Sequence, residues 1–211
     1  MSKYYPISLD INRKLCRVIG GGKVAERKVN SLLKYGGIVE VISPSITDKL
    51  ERYVKENMIK IKRRIYMYGD LEGSFLVYAA TDDKKINELC LKECKEKRIL
   101  LNVVDEPEMC NFIVPSNVQR GDLNISISTN GKSPMLSRKI REDLENIYVE
   151  EYSEYVDILG EIRKFIKKEV KDINKRRDIF LKLVYSEVID KYINGEISDL
   201  KKELYTLALE A

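Results

Sequence analysis

Gly20-Gly21-Gly22-Lys23-Val24-Ala25 fits the pattern G-x-G-x-x-A, with Gly20, Gly22 and Ala25 at the three small positions. Gly20 allows a tight turn. Gly22 lets a backbone approach a pyrophosphate with no Cβ in the way. Ala25 lets a helix pack close on a strand. The helix that starts here offers free N–H groups and the positive end of its dipole. Gly22, Lys23 and Val24 are thus candidate cofactor contacts, with Gly20 setting the turn. The same residues without a ligand make a tight strand-to-helix turn, and both readings stay open. Dinucleotide sites often carry an acidic residue for the ribose at the end of the second strand. Here that stretch reads Ile42-Ser43-Pro44-Ser45, and Glu40 lies inside the strand. No nearby arginine suits a 2′-phosphate. NAD is expected over NADP as a preference that the local residues do not decide.

Other residues could do proton or charge chemistry. Asp105 follows Asn102-Val103-Val104 and precedes Glu106-Pro107. In an open α/β sheet, ligands bind beyond the carboxyl ends of the strands. Asp105 is a base or orienting carboxylate there, or else a turn residue. Asp82 and Asp83 read as helix caps. Ser128-Thr-Asn-Gly-Lys-Ser-Pro134 precedes Arg138, Lys139 and Arg141. It reads as an anion site at a helix start or as a capped helix with solvent-facing charges. The chain has no histidine. Any base must be a carboxylate, lysine, tyrosine or thiolate, and a His-ligated zinc site is excluded. Cys90 and Cys94 share a helix face, but two thiolates need further ligands, so no metal site is expected.

These residues need elements to hold them. Residues 15–19, 38–42, 59–65, 75–80 and 99–104 read as strands bounded by turn residues. Between them fall helices over 23–35, from a cap at Ser45 to about Asn57, and from a cap at Thr81 or Asp82 to about Lys97. Strands alternating with helices predict a parallel sheet covered on both faces. Residues 111–115 and 123–128 read as two further strands, with a turn at Arg120-Gly121. From Pro134 onward Tyr155, Ile158, Leu159, Ile162 and Ile166 recur at helical spacing, and Gly195 ends a helix. The fold class is α/β: a Rossmann-like domain (1–113), a small mixed region (114–145) and a helical C-terminal domain (146–211).

Composition removes several classes. The apolar fraction of 44% supports a sizeable core, and 38 basic against 34 acidic residues give a net charge of +4. That excess is too small to argue for nucleic acid. No apolar run approaches the ~20 residues that span a bilayer, and no signal peptide precedes the first strand. The expectation is a cytoplasmic protein with reduced cysteines and no membrane partner.

Taken together the motifs resemble the precorrin-2 dehydrogenase family, the N-terminal part of siroheme synthase and its stand-alone relatives. The resemblance rests on Tyr5-Pro-Ile-Ser-Leu9, Ile19-Gly-Gly-Gly-Lys-Val-Ala-Glu-Arg-Lys28, Ala79-Ala-Thr-Asp82 and Asn102-Val-Val-Asp105 with Pro107. It continues through Asn111-Phe-Ile-Val-Pro-Ser116 and Ile127-Ser-Thr-Asn-Gly-Lys-Ser-Pro134 with Ser137-Arg-Lys-Ile-Arg141. Order and spacing match over about residues 4–145. The resemblance implies an NAD-binding Rossmann domain, a dimerisation region over 114–145, and an interlocked homodimer with its site in a cleft. Gly20, Gly22, Lys23 and Val24 would contact NAD, with Pro44 and Ser45 at the adenosine end. Asp105 matches the family's catalytic aspartate. Asn102, Ser116 and Thr129 would line the tetrapyrrole cleft. Arg120, Lys132, Arg138 and Arg141 are candidates for the substrate carboxylates by charge.

The implied reaction is NAD-dependent oxidation of precorrin-2 to sirohydrochlorin on the route to siroheme. A separate methyltransferase would supply the substrate. Two alternatives stand beside it. Some family members also insert iron into sirohydrochlorin. A dinucleotide-sensing module with a helical tail would explain the glycine loop, but not the Asn-Val-Val-Asp and Asn-Phe-Ile-Val-Pro-Ser pieces.

Overall fold

The computed structural model describes residues 4–210. The chain divides into two compact units, Met1–Val114 and Pro115–Ala211.

In the first unit five strands form one parallel sheet: β1 (Leu15–Ile19), β2 (Ile38–Ile42), β3 (Ile59–Lys62), β4 (Leu76–Ala79) and β5 (Leu100–Val103). Their order is β3-β2-β1-β4-β5, so the winding reverses between β1 and β4. The helices are α1 (Lys23–Lys34), α2 (Asp48–Lys55) and α3 (Lys84–Lys97). Side chains alternate across the pleat. Cys16, Val18, Val39, Val41 and Tyr78 pack with Ala25 and Val29 of α1 and Leu50 of α2. Ile19, Ile42, Val77, Ala79 and Leu101 face the other way, against Cys90 and Cys94 of α3. Both faces are covered, which is why β4 is apolar at every position. Each fully buried residue such as Leu50 or Leu101 contributes about 1.5–3 kcal/mol.

Charges inside this unit are paired. Arg17 on β1 donates through Nε to Glu40 at 2.6 Å, and through Nη1 to the Glu72 carbonyl at 2.6 Å and the Ser74 hydroxyl at 2.8 Å. Glu93 on α3 is fully buried. It accepts from the Tyr66 hydroxyl and from the backbone N–H groups of Gly69 and Leu71. These bonds fix the loop before β4 onto α3, at the cost of burying a carboxylate.

In this unit the α2 cap and residues 111–115 differ from the sequence reading, and the α3 cap is resolved among its candidates. The cap of α2 is Thr47, whose Oγ1 accepts from the Leu50 N–H at 3.4 Å, and Ser45 instead offers its carbonyl to the Ser43 hydroxyl. The cap of α3 is Asp83, which accepts from the N–H groups of Lys85 and Ile86. Thr81 supports that turn, accepting from the Asp83 N–H. Residues 111–115 are not a strand. The Asn111 amide substitutes for one, since its Oδ1 accepts from the Leu101 N–H at 2.8 Å and its Nδ2 donates to the Ile99 carbonyl at 3.0 Å.

In the second unit β6 (Ser116–Arg120) and β7 (Leu123–Ile127) form an antiparallel hairpin. Its turn is Gly121-Asp122, one residue later than read from sequence, with Gly121 at φ +52° as such a tight turn needs. Five helices follow: α4 (Pro134–Ile147), α5 (Glu151–Glu169), α6 (Ile173–Val184), α7 (Val188–Ile193) and α8 (Leu200–Leu209). Tyr155, Ile158, Ile162 and Ile166 line the buried face of α5 against Ile179, Leu183 and Leu204. Gly195, at φ +75°, follows the end of α7. The hairpin and all five helices belong to this one unit.

Candidate functional site

The glycine loop lies at the reversal of strand order, where open α/β sheets bind ligands. Gly20 has φ +109°, and a Cβ there would overlap the Ala80 carbonyl on β4's exit. Gly21 is packed as tightly against the Ser45 carbonyl, and its own carbonyl accepts from the Thr47 N–H at 3.1 Å. Gly22 is the contrast: no atom lies within 4 Å of a Cβ built on it. It is the N-cap of α1, and no side chain caps that helix. Two glycines are therefore demanded by packing, while the third leaves open space in front of uncapped N–H groups. That cradle fits a pyrophosphate.

The neighbours of the loop are mixed in polarity and exposure. Lys23 is exposed and pairs with Glu26 at 3.4 Å. Glu26 also accepts from the Thr47 hydroxyl at 2.6 Å, which, with Lys23, holds its carboxyl below the usual range. Val24 is half-buried, and Pro44 and Ser45 are exposed on the turn packed against Gly21. Glu40 is committed to Arg17, with Lys62 at 3.6 Å, and is not available to a ribose. On α3, Asn87 donates to the Thr81 carbonyl at 3.2 Å, and its Oδ1 is buried without a partner. An unsatisfied acceptor thus sits just beyond the end of β4.

Asp105 stands at the same edge of the sheet, beyond β5. Two strand spacings, about 10 Å, separate the ends of β1 and β5. Its backbone is in the left-handed region at φ +61°, and its side chain is exposed. The turn is anchored on both sides. The Val104 N–H donates to the Ala79 carbonyl at 2.9 Å, and the Val103 N–H donates to Cys110 Sγ at 3.2 Å. Asn102 is half-buried and spends its Nδ2 on the Phe112 carbonyl at 3.1 Å. It therefore also holds the 110–112 segment against β5.

Lys28 was not singled out from sequence. It lies on α1 two turns beyond Gly22, half-buried, with Nζ 4.7 Å from the Tyr78 ring centroid. Burial holds its ammonium below the usual lysine range, and the nearby Cys110 and Asp105 oppose that. Tyr78 pairs in register with Asn102 and meets Phe112 edge to face. The signal available in sequence was only that Lys28 sits one position before the core residue Val29.

The remaining candidates belong to the second unit. Ser116 opens β6 and is half-buried. Thr129 Oγ1 accepts from the Ser133 N–H at 2.9 Å, and Ser133 caps α4. Lys132 is exposed in this loop. Arg120 is engaged elsewhere: Nε donates to the Tyr148 carbonyl at 2.8 Å, Nη2 to the Glu145 carbonyl at 3.3 Å, and Glu150 pairs with Nη1. It closes the C-terminus of α4. Arg138 pairs with Glu142, and Arg141 with Glu145, one turn on. Among the four basic candidates only Lys132 has no ion pair among the described residues. Cys90 and Cys94 are buried with their thiols pushed up, Cys94 to about 12. No group of three or more Cys, Asp or Glu suited to a metal occurs among the described residues.

Comparison with known proteins gives concordant matches. A family described as putative NAD(P)-binding matches residues 7–116, and one described as sirohaem biosynthesis protein central matches residues 120–147. A siroheme synthase of Photobacterium profundum is 34% identical over 97% of this chain and 44% of its own length. One from Methylobacillus flagellatus is 35% identical over 89% of this chain and 40% of its own length. The chain spans less than half the length of these curated relatives. A solved structure described as SirC, precorrin-2 dehydrogenase, superposes with a TM-score of 0.81 and 24% identity, covering 99% of this chain and 100% of the other.

Proposed function

The chain belongs to the putative NAD(P)-binding family, with a sirohaem-biosynthesis central segment behind it, and on that premise we propose that it oxidises precorrin-2 to sirohydrochlorin with NAD as acceptor. The observation that carries this reading is the pairing of two features at one sheet edge. One is the open, uncapped glycine cradle at Gly22; the other is the exposed carboxylate of Asp105 beyond β5.

The chain's own residues divide the work. The N–H groups at the start of α1 bind the pyrophosphate, and Gly22 keeps that approach clear. Pro44 and Ser45 border the adenosine end. A bound nicotinamide supplies the two-electron acceptor. Asp105 takes the proton that the macrocycle releases, or orients the ring for its loss. Lys28 sets an ammonium near that carboxylate. Asn102 positions the Asp105 turn by holding the 110–112 segment. On the family resemblance we also assign Ser116, Thr129 and Lys132 a part in substrate binding. Arg120, Arg138 and Arg141 would have to exchange internal partners to join them. The working form is proposed to be a homodimer, fed with precorrin-2 by a methyltransferase activity.

The test is direct. Purified protein is incubated with fresh precorrin-2 under anaerobic conditions, with NAD, with NADP or with neither, and the visible spectrum is followed. The sirohydrochlorin spectrum should appear with NAD and not without a dinucleotide. Ferrous iron added to the same cuvette then reads out any chelation. No conversion of a substrate that a known enzyme does convert would remove the catalytic reading.

A further inference from the structure

We infer that Cys110 and Asn111 together are positioning residues for Asp105, holding the turn from which its carboxylate acts. The inference rests on the reading of Asp105 given above. All the residues it uses lie within the first unit.

Asp105 is the third residue of a tight turn, in which the Glu106 N–H donates to the Val103 carbonyl at 3.4 Å. Its φ of +61° is a conformation that this position of a turn usually gives to glycine or asparagine. Such a backbone persists in another residue where the surroundings fix it. The Asp105 side chain is exposed, and no hydrogen bond or ion pair holds it among the described residues. The aim of the carboxylate is therefore set by the backbone on either side.

That backbone is tied from inside by a thiol. Cys110 Sγ accepts from the Val103 N–H at 3.2 Å and from Asn102 Nδ2 at 3.6 Å. Its S–H has the Val103 carbonyl at 3.3 Å and the Glu106 carbonyl at 3.4 Å as acceptors. Val103 and Glu106 are the two ends of the turn, so one atom bridges both flanks of Asp105.

Asn111 fixes the thiol in turn. Its N–H donates to the Leu101 carbonyl at 3.0 Å, and its side-chain amide takes the Leu101 N–H and the Ile99 carbonyl. β5 is an edge strand of the sheet, and its outward N–H and C=O groups need partners. Here those groups are spent on bringing the chain back along the strand it has just left. The loop closed in this way carries Asp105.

The experiment uses the full chain and the variants Cys110→Ala, Cys110→Ser, Asn111→Ala and Cys16→Ala, with Asp105→Asn alone and combined with Cys110→Ala. Conversion of precorrin-2 with NAD gives kcat and KM, and amide hydrogen exchange of the free protein reads the turn itself. Cys110→Ala should lower kcat roughly tenfold or more, since small misplacements of a reacting group cost that much, and leave KM within about twofold. Asn111→Ala should show the same pattern, which keeps the test open if Cys110→Ala does not fold. Cys110→Ser retains a donor and an acceptor and should recover most of the rate. Cys16 is buried in the core on the α1 side, and Cys16→Ala should lose stability while keeping its kcat. In the Asp105→Asn background Cys110→Ala should slow conversion no further, because groups that act as a unit are not additive. The amides of 103–106 should exchange faster in Cys110→Ala and in Asn111→Ala than in the wild type. A wild-type kcat in both of these variants, with Asp105→Asn slow, overturns this inference alone. Full additivity in the double variant does the same, since Cys110 would then act apart from Asp105. A wild-type rate for Asp105→Asn overturns the reading of Asp105, and this inference with it.

Discussion

Lys28 holds its ammonium 4.7 Å from the centre of the Tyr78 ring, on the side of the sheet that carries α1. The helix opened by the glycine loop thereby reaches a strand whose neighbour, β5, leads to Asp105. Its charge is disfavoured by burial, so its folded-state pKa lies below the ordinary 10.5. Between those two values the unfolded chain binds more protons, and stability contributed by this site rises with pH. Lys28→Met removes that term. Melting curves of the two proteins should therefore shift in favour of the wild type as pH rises from 8 toward 10.5. Turnover of Lys28→Met should fall roughly tenfold with NAD affinity kept, as expected for loss of one preorganised charge. A pH-independent gap in Tm and an unchanged kcat would show that Lys28 is only a packing residue.

Gly20 and Gly22 should respond differently to alanine. Gly20→Ala meets the Ala80 carbonyl in a backbone conformation that a side chain resists, and it should lose about 2–4 kcal/mol of stability. Gly22→Ala has φ −79° and open space, so its denaturation midpoint should match the wild type. Its NAD affinity should nevertheless drop by roughly tenfold or more, since the methyl occupies the pyrophosphate approach. Calorimetric titration with NAD beside a urea denaturation separates the two effects.

Asp105→Asn tests chemistry against conformation. Asparagine tolerates the left-handed backbone at φ +61°, so the variant should fold within about 0.5 kcal/mol of the wild type. Conversion of precorrin-2 should slow about a hundredfold or more, because the amide cannot take a proton. A kcat within a factor of two of the wild type would demote Asp105 to a turn residue.

Asp70 should govern part of the acid stability. Its carboxylate accepts from Arg64, from the Met67 N–H at 2.9 Å and from Lys62 at 3.2 Å, and the Arg64 bonds chiefly hold its pKa well below the ordinary 3.8. The stability it contributes is fully present above that value and is lost as pH falls below it. Asp70→Asn should cost about 1–2 kcal/mol at pH 7. The cost should shrink steadily below about pH 4. Urea midpoints measured between pH 2.5 and 7 would read this out, and a constant difference across that range would contradict it.

The residues differ in how openly the sequence declares them. The tight strand-to-helix turn of Gly20, Gly22 and Ala25 was legible because it is a local device, complete within six residues. The strands around Val18, Val41 and Val77 were legible because a sheet buried on both faces demands continuous apolar runs. The cap of α2 was misplaced by two residues at Ser45, and that of α3 was left open among Thr81, Asp82 and Asp83, because Ser, Thr and Asp are interchangeable as capping types. Only the loop's contacts decide which one turns inward. Asn111 was read as strand for a related reason, since its amide mimics a strand's hydrogen bonds without the chain forming one.

The sequence by itself determined the alternation of strands and helices, the glycine loop, the carboxylate after the fifth strand and the helical stripe of α5. All of these are encoded in spacings of a few residues. Tertiary structure decided which charges are spent and which remain. Arg120 closes α4 through carbonyls more than twenty residues away, and Lys132 has no ion pair among the described residues while Arg138 and Arg141 do. Whether a charge finds a partner depends on elements far apart in the chain, and no local pattern records that distance.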